Sequence, residues 1–161
     1  VLTHPSAVAY CLPGIDSRVV LSSGALDLLD EAELDAVVAH ERAHLRERHD
    51  LVVLPFAAWH TALPLIPGVR RARSAVSTLV EMVADDRACA VSDRLALATA
   101  LARVGSGAAP ACALAASGDA TVERIYRLLN PPAPSARVRW AAHAAAAVAL
   151  LIGPGLALLI G

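Results

Sequence analysis

The chain lacks several features that mark common protein classes. It contains no lysine, so all 14 basic residues are arginine, and its formal net charge at pH 7 is −1. A nucleic-acid-binding domain carries a surplus or a stripe of basic residues, so we expect no nucleic-acid partner. Aromatic residues make up only 3% of the 161 residues. Alanine supplies much of the apolar content instead, which favours helices over strands.

Cysteine is also scarce. The three cysteines, Cys11, Cys89 and Cys112, are widely spaced and form no Cys-x-x-Cys pair, which argues against a disulfide framework. The chain starts with Val1 rather than methionine, so we expect it to be a segment of a longer protein.

Apolar residues are abundant, at 57% of the chain with a mean hydropathy of +0.55, above the roughly 45–50% usual for soluble domains. This composition excludes a disordered chain and indicates a membrane. The uncharged stretch 140–160 has the length of about 20 residues that crosses a bilayer. Arg137 and Arg139 precede it, on the cytoplasmic side by the positive-inside rule. We predict a transmembrane helix there, with an amphipathic or core helix as the alternative.

Residue patterning predicts the secondary structure of the remaining chain. Two short β-leaning runs separated by turn residues predict a small ribbon within residues 1–23. Asp30 followed by Glu33 is a capping signature, and apolar spacing continues the predicted helix to about Asp50. The same patterning assigns a helix over 69–103, a loop or weak helix over 105–118 and a short helix over 121–129.

The clearest chemical signal is the HExxH pattern His40-Glu41-Arg42-Ala43-His44 within the predicted helix. Residues four apart on a helix share a face, so both imidazoles can bind one metal ion. Glu41 is rotated about 100° from His40 and can instead reach a water molecule on that metal. A charged, solvated helix face is the alternative interpretation.

A catalytic zinc site needs three protein ligands and one open position, so a third ligand must lie elsewhere. Glu81 lies 37 residues after His44, in a helix-like run with apolar neighbours. Asp85 shares the helical face of Glu81 and can accept the remaining N–H of a metal-bound imidazole, which fixes that ring's tautomer. A solvated acidic stripe is the alternative, which the apolar neighbours disfavour.

The sequence HERAH followed by EMVADDRA resembles gluzincin metallopeptidases whose third ligand lies in an ExxAD motif. These include membrane-bound HtpX-like and CAAX-prenyl-protease-like enzymes and the zinc domains of BlaR/MecR-type β-lactam sensors. The likeness covers roughly residues 7–90 and loosely 124–132. It implies His40, His44 and Glu81 as zinc ligands, with Glu41 as general base and Asp85 in support. The tail HLRERHD and the insert 51–67 look more like the sensor branch, although no penicillin-binding domain is present to imply signalling.

The apolar, uncharged segment 51–67 contains three prolines, which we expect to break a helix. A single membrane crossing there would put His44 and Glu81 in opposite compartments, where they could not share a metal. The segment must therefore fold back within the bilayer, lie along its surface or pack as core.

We therefore expect a mainly α (α+β) fold, with a zincin-like metallopeptidase domain at 1–130 that includes the N-terminal β-ribbon. A Pro/Arg linker at 131–139 and the transmembrane helix at 140–160 follow. The expected function is a zinc-dependent metalloendopeptidase with one Zn²⁺ per chain, in a bacterial cell membrane, with a cytoplasmic active site and a protein or peptide substrate. If further helices precede Val1, the protein is multi-pass. The oligomeric state stays open.

The alternative is a membrane-anchored regulatory or sensor-type module with a structural or vestigial metal site. Substrate backbone is expected to add beside the VVLSS strand at Val20, by analogy with peptide recognition at sheet edges. The candidates for stabilising an oxyanion are Tyr126, His49, His60 and Arg87. For isolated histidines such as His4, His60 and His143, a structural or surface role is the more common one.

Overall fold

A two-stranded ribbon precedes six helices in the part of the chain that the structure describes. The structure is a computed structural model and describes residues 1–12, 14, 17–107 and 111–131. The elements in chain order are β1 (Ala9–Leu12), β2 (Arg18–Leu21), α1 (Ser23–Leu28), α2 (Glu31–Glu47), α3 (His49–Ala62), α4 (Pro67–Ala88), α5 (Arg94–Gly107) and α6 (Ala111–Leu129). Residues Val1–Leu129 form one compact unit. The predicted mainly helical fold with an N-terminal ribbon is confirmed, whereas the predicted helix at 140–160 lies outside the described residues.

The ribbon is antiparallel and is tied to α1 by one buried serine. Strands β1 and β2 pair with Ala9 opposite Leu21. Ser22, only 1% exposed, accepts hydrogen bonds from the backbone N–H groups of Val8 and Ala25 at 2.9 and 3.1 Å. The second of these bonds caps α1 at its N-terminus. The ribbon is therefore anchored where it meets the helical part of the fold.

Helix α2 begins at the predicted capping box. Asp30 accepts a hydrogen bond from the backbone N–H of Glu33, and the Glu33 carboxylate accepts one from the backbone N–H of Asp30. The helix ends earlier than predicted, at Glu47, because Arg48 adopts a left-handed conformation with φ 52° and ψ 45°. A new helix, α3, starts at His49, so residues that sequence patterning joined to α2 point in a different direction.

The apolar segment 51–67 forms a helical hairpin with the start of α4. Helix α3 runs through Pro55, so the expected break at that proline is wrong. Pro67 occupies the first turn of α4, where a missing N–H costs nothing. Of the predicted alternatives for this segment, packing in the core describes Phe56, which is 6% exposed. Leu51 and Leu54 are instead 51% and 61% exposed. Among the described helices, none combines the length and the apolar content needed to cross a bilayer.

Two further predicted segments have boundaries that differ from those of the structure. The predicted helix 69–103 is broken between Ala88 and Arg94, where the Asp93 side chain accepts a hydrogen bond from the backbone N–H of Ala96 and starts α5. Of the segment predicted as a loop or weak helix over 105–118, residues 105–107 belong to α5 and residues 111–118 to α6, which extends to Leu129. The helical alternative therefore holds for the described part of this segment. Small residues carry little periodic signal, so neither boundary was visible in the apolar pattern.

The core lies between α2, α4, α5 and α6 and is built mainly from alanine. Its buried members are Ala36, Ala88, Ala96, Leu97, Ala98 and Leu128. Small side chains allow helix axes to approach closely, and this places the inward faces of α2 and α4 side by side. The residues predicted to bind a metal lie on these two faces.

Candidate metal centre

The two histidines of the HExxH pattern converge on one face of α2. They are one helical turn apart, and their Nε2 atoms are 3.0 Å from each other. His40 is only 6% exposed, and the His44 side chain is 15% exposed. The predicted shared face is therefore present, and both ring nitrogens point to the same place.

Helix α4 brings Glu81 to the same point. Its Oε2 lies 3.3 Å from His40 Nε2, and its Oε1 lies 3.4 Å from His44 Nε2. The three side chains can each offer one atom within 4.8 Å of the others. The hairpin formed by α3 and α4 explains this arrangement. The chain leaves α2 through α3 and returns through α4, which brings Glu81 back to the histidines of α2.

The spacing of these atoms fits a divalent metal ion. Ligand atoms about 2.0–2.1 Å from a tetrahedral metal lie about 3.3 Å apart. The two Nε2 atoms are 3.0 Å apart, and each lies 3.3 or 3.4 Å from a different carboxylate oxygen of Glu81, which is close to that value. With one atom from each residue, the candidate ligand atoms lie within 4.8 Å of one another. Two imidazoles with one carboxylate is a ligand set that zinc accepts, as do other divalent metals. The residues present therefore fit a metal centre with one position left for water or substrate.

Asp85 lies behind the first histidine. Its Oδ1 is 2.9 Å from His40 Nδ1, although that nitrogen is not aligned for a well-formed hydrogen bond. Asp85 is 1% exposed and also receives two hydrogen bonds from Arg124, at 2.7 and 2.8 Å. The predicted contact between this carboxylate and a histidine of the pattern is thus present.

Sequence reasoning missed Arg124, which belongs to α6. Its guanidinium joins the two acidic residues of α4, since NH1 lies 2.9 Å from Glu81 Oε2 while Nε and NH2 bind Asp85. One turn later, Arg127 binds Asp86 in the same manner. The sequence feature that could have indicated these ion pairs is two arginines three residues apart in α6, opposite in charge to the adjacent acids Asp85 and Asp86 of α4.

Burial and the neighbouring charges shift the pKa values of His40 and His44 in opposite directions. Burial opposes the charged form of His40, but close contacts with the carboxylates of Asp85 and Glu81 outweigh it and raise its pKa to about 9. Burial lowers the pKa of His44 to about 4, against the opposing charge of Glu81. Burial also lowers the pKa of His49. In the metal-free pocket His40 is therefore the charged imidazole and His44 the neutral one, so a metal that binds through His40 would displace a proton.

The two acids of α4 are held in the charged form. Burial by itself would raise the pKa of Glu81 and of Asp85. Hydrogen bonds from Arg124 to Asp85, the close contacts of both carboxylates with His40 and the positive charge of Arg124 outweigh burial and lower both pKa values below their ordinary range. Ionised carboxylates are what a divalent cation needs as a ligand and as a neighbour.

Glu41 lies beside the ligands on α2. Burial of its carboxylate raises its pKa above the ordinary value, the charge of His40 opposes this shift and the charge of Glu81 adds to it. Glu41 lines a cavity of about 190 Å³ together with His40, Glu81 and Arg124. A carboxylate of raised pKa in such a cavity has the properties of a general base.

A second cavity of about 360 Å³ lies on the other side of the ligands, lined by Cys11, His44, His49 and Glu81 among others. Among the predicted oxyanion-stabilising candidates, His49 therefore lies beside the ligands. Arg87 pairs with Glu47 and lines a different groove.

The other two candidates are not among the residues that line the two cavities. His60 contacts Arg73. Tyr126 is 69% exposed on α6.

An HExxH helix joined by a glutamate and a supporting aspartate from a second helix is the site architecture of gluzincin metallopeptidases. Residues 1–66 match the sequence model of Peptidase family M48. The matched segment includes His40, Glu41 and His44 and ends before Glu81.

Three curated relatives, each named "Protease HtpX homolog", match a stretch of this chain of about the same length. The protein from Methanothermobacter thermautotrophicus is 40% identical over 62 residues, which is 38% of this chain and 22% of that protein. Those from Pelotomaculum thermopropionicum and Aeropyrum pernix are 35% and 41% identical over 66 residues, 41% of this chain in both cases and 24% and 18% of those proteins. No solved structure matches the chain significantly.

These matches confirm the resemblance to HtpX-type gluzincin metallopeptidases that the motifs indicated. The chain spans less than a quarter of the length of the curated relatives it matches. The match to the family model covers the ribbon, α1, α2 and α3, and it ends before the acids of α4.

Proposed function

We propose that the chain is a zinc-dependent metalloendopeptidase that hydrolyses peptide bonds at or near a membrane. The observation that carries this proposal is the convergence of His40, His44 and Glu81, within 4.8 Å of one another, with Glu41 on the same helix. The match of the first 66 residues to Peptidase family M48 supports it.

His40, His44 and Glu81 would hold the metal, and Asp85 and Arg124 would keep His40 and Glu81 in place. When bound, zinc polarises the scissile carbonyl and lowers the pKa of water toward about 7. The Glu41 carboxylate accepts the proton of the attacking water and then delivers it to the departing amine nitrogen. The raised pKa of Glu41 favours this second transfer, because the protonated form is more easily reached.

The sequence suggested that the substrate backbone lies beside Val20 of β2. We propose instead that it lies along β1. Cys11 of β1 lines the larger cavity beside the ligands, and Ala9 of β1 lines the smaller one. In the described part of the chain, β1 pairs with β2 and with no other strand, so its second edge can accept an extended peptide. The two cavities would then receive side chains on either side of the scissile bond.

We further propose that the hairpin formed by α3 and α4 contacts the membrane surface. Leu51, Leu54 and Trp59 of α3 are 51%, 61% and 37% exposed, and an exposed apolar helix face with a tryptophan is typical of interfacial helices. Three exposed arginines at the start of α4 complement anionic headgroups, namely Arg70, Arg71 and Arg73. The curated relatives named HtpX support membrane association.

Tryptophan fluorescence tests this placement. With Trp140→Phe, Trp59 is the remaining tryptophan of the two in the sequence, and the full chain is reconstituted in vesicles with lipids brominated at defined depths. Strongest quenching near the headgroups is the expected result. Absence of quenching at any depth contradicts membrane contact, and strongest quenching at the bilayer centre indicates a re-entrant hairpin instead.

The substitution Glu41→Gln separates the enzyme from the alternative, a regulatory module with a structural or vestigial metal site. A structural site needs the histidines but not this carboxylate. We expect the variant to bind zinc with unchanged stoichiometry and to lose peptide hydrolysis by at least about 100-fold. Unchanged hydrolysis by the purified variant would exclude Glu41 as the base, and a zinc-loaded wild type without hydrolysis of any tested peptide would favour the regulatory module.

A further inference from the structure

His49 is a buried histidine for which the reaction described above has no use. It is 5% exposed and lies at the start of α3, next to the second histidine of the HExxH pattern. Its Nδ1 atom is 3.1 Å from the Nδ1 atom of His44. It contacts the side of the His44 ring that faces away from His40 and Glu81.

This contact exists because the chain turns at Arg48. On an unbroken helix, two residues five positions apart point in directions that differ by about 140°. The left-handed conformation of Arg48, with φ 52° and ψ 45°, ends α2 and redirects His49. The two rings then meet edge to face, with their centroids 4.9 Å apart.

The protonation pattern of His44 determines whether it can bind a metal. A neutral imidazole has one proton, and a ring that offers Nε2 to a metal must carry that proton on Nδ1. The Nδ1–H of His44 then has one acceptor within 3.1 Å, the unprotonated Nδ1 of His49. We propose that His49 is a positioning residue that accepts this hydrogen bond and holds His44 with Nε2 free for the metal. This inference rests on the proposed function, because it assigns His49 a role toward the same metal centre.

The surroundings of His49 favour the tautomer that this role requires. If Nδ1 accepts, the proton of His49 lies on Nε2. That atom faces the Glu47 carboxylate at 3.9 Å, and Glu47 is paired with Arg87 of α4. A negative charge near Nε2 stabilises an N–H there by electrostatic attraction. The second histidine ligand is thus supported by His49 and Glu47, as the first is by Asp85 and Arg124.

Zinc affinity of the full-length chain, measured by competition with a chromogenic chelator, tests the proposal. Loss of a group that orients a metal-bound histidine costs about 10–100-fold in metal affinity. We expect His49→Ala to weaken zinc binding by that factor. His49→Asn keeps an acceptor oxygen near the position of Nδ1, so we expect it to recover most of the loss. His60→Ala, on the same helix, removes a histidine that contacts Arg73 instead and should leave the affinity unchanged.

A second readout uses the protein without metal. In ¹⁵N-histidine-labelled chain, long-range ¹H–¹⁵N correlations distinguish the two tautomers of His44. We expect the Nδ1–H form in the wild type and in His49→Asn, and an increase of the Nε2–H form in His49→Ala. A general loss of folding would alter all histidine signals, so it cannot imitate a change confined to His44.

The outcomes separate this inference from the proposed function. Wild-type affinity in His49→Ala, or an unchanged His44 tautomer, overturns the positioning role while zinc binding itself still holds. Equal losses in His49→Ala and His49→Asn also overturn it, because packing rather than hydrogen bonding would then explain the effect. A wild-type chain that binds no zinc contradicts the proposed function.

Discussion

The two histidines of the candidate metal centre are supported in different ways. Behind His40 lies a buried ion pair, with the side chains of Asp85 and Arg124 1% and 11% exposed. Behind His44 lies a neutral imidazole, His49, followed by a pair near the surface whose side chains, those of Glu47 and Arg87, are 32% and 64% exposed. One side therefore consists of charges removed from water, and the other ends in charges that water screens.

This difference predicts that the two sides contribute differently to the stability of the fold and to metal affinity. A buried ion pair is costly to form, but removing one partner leaves an uncompensated charge and strongly destabilises the fold. An exposed pair contributes little to stability. We therefore expect changes on the His40 side to lower the free energy of unfolding strongly and changes on the His44 side to act mainly on metal affinity.

The largest effect is expected for Arg124→Ala. Its guanidinium neutralises both Asp85 and Glu81, and loss of one partner of a buried pair costs about 3–5 kcal/mol. Chemical unfolding of the metal-free protein measures this loss. Arg127→Ala is the matched control one turn along α6, because the pair of Arg127 with Asp86 is more exposed. Equal losses in the two variants would remove the distinction between a buried and an exposed pair.

An intermediate effect is expected at Arg48, which sets the direction of His49. A β-branched residue in the left-handed region is strained by about 1–3 kcal/mol, so Arg48→Val should lower the free energy of unfolding by that amount and also weaken zinc binding. Glycine adopts this conformation without strain. Arg48→Gly should therefore keep zinc affinity near the wild-type value. A fully stable Arg48→Val variant with normal affinity would show that the turn does not position His49.

The smallest effect is expected for Arg87→Ala, at the exposed end of the His44 side. The Arg87 side chain is 64% exposed, and pairs of this kind contribute about 0.2–1 kcal/mol, less at high salt. Unfolding measured at low and high ionic strength checks both statements. A loss above about 2 kcal/mol would mean that the two sides of the centre do not differ as proposed.

The parts of the site that follow local rules could be predicted from sequence. The spacing of His40 and His44, the shared face of Glu81 and Asp85, and the capping box at Asp30 each depend on a single helical turn. The structure has all of these contacts. By contrast, α2 and α4 meet because of the hairpin formed by α3 and α4, and no local sequence pattern specifies the geometry of that hairpin.

The contacts that sequence reasoning missed depend on residues distant in sequence or on an uncommon backbone conformation. Arg124 lies 39 residues from Asp85, and no periodic pattern links α6 to α4. The sequence indicated His49 only as one of four candidates for oxyanion stabilisation. Its contact with His44 depends on a left-handed arginine at position 48, which has no sequence signature, unlike glycine. The break between α4 and α5 contains no proline or glycine, and its one signal is Asp93 at the start of α5.

Zinc stoichiometry and affinity in Glu81→Ala test most directly whether the two helices share one metal ion. We predict one zinc per wild-type chain and per Glu41→Gln chain, and a loss of affinity of at least about tenfold in Glu81→Ala, because a carboxylate ligand from the second helix is removed. Wild-type zinc affinity in Glu81→Ala would contradict the account.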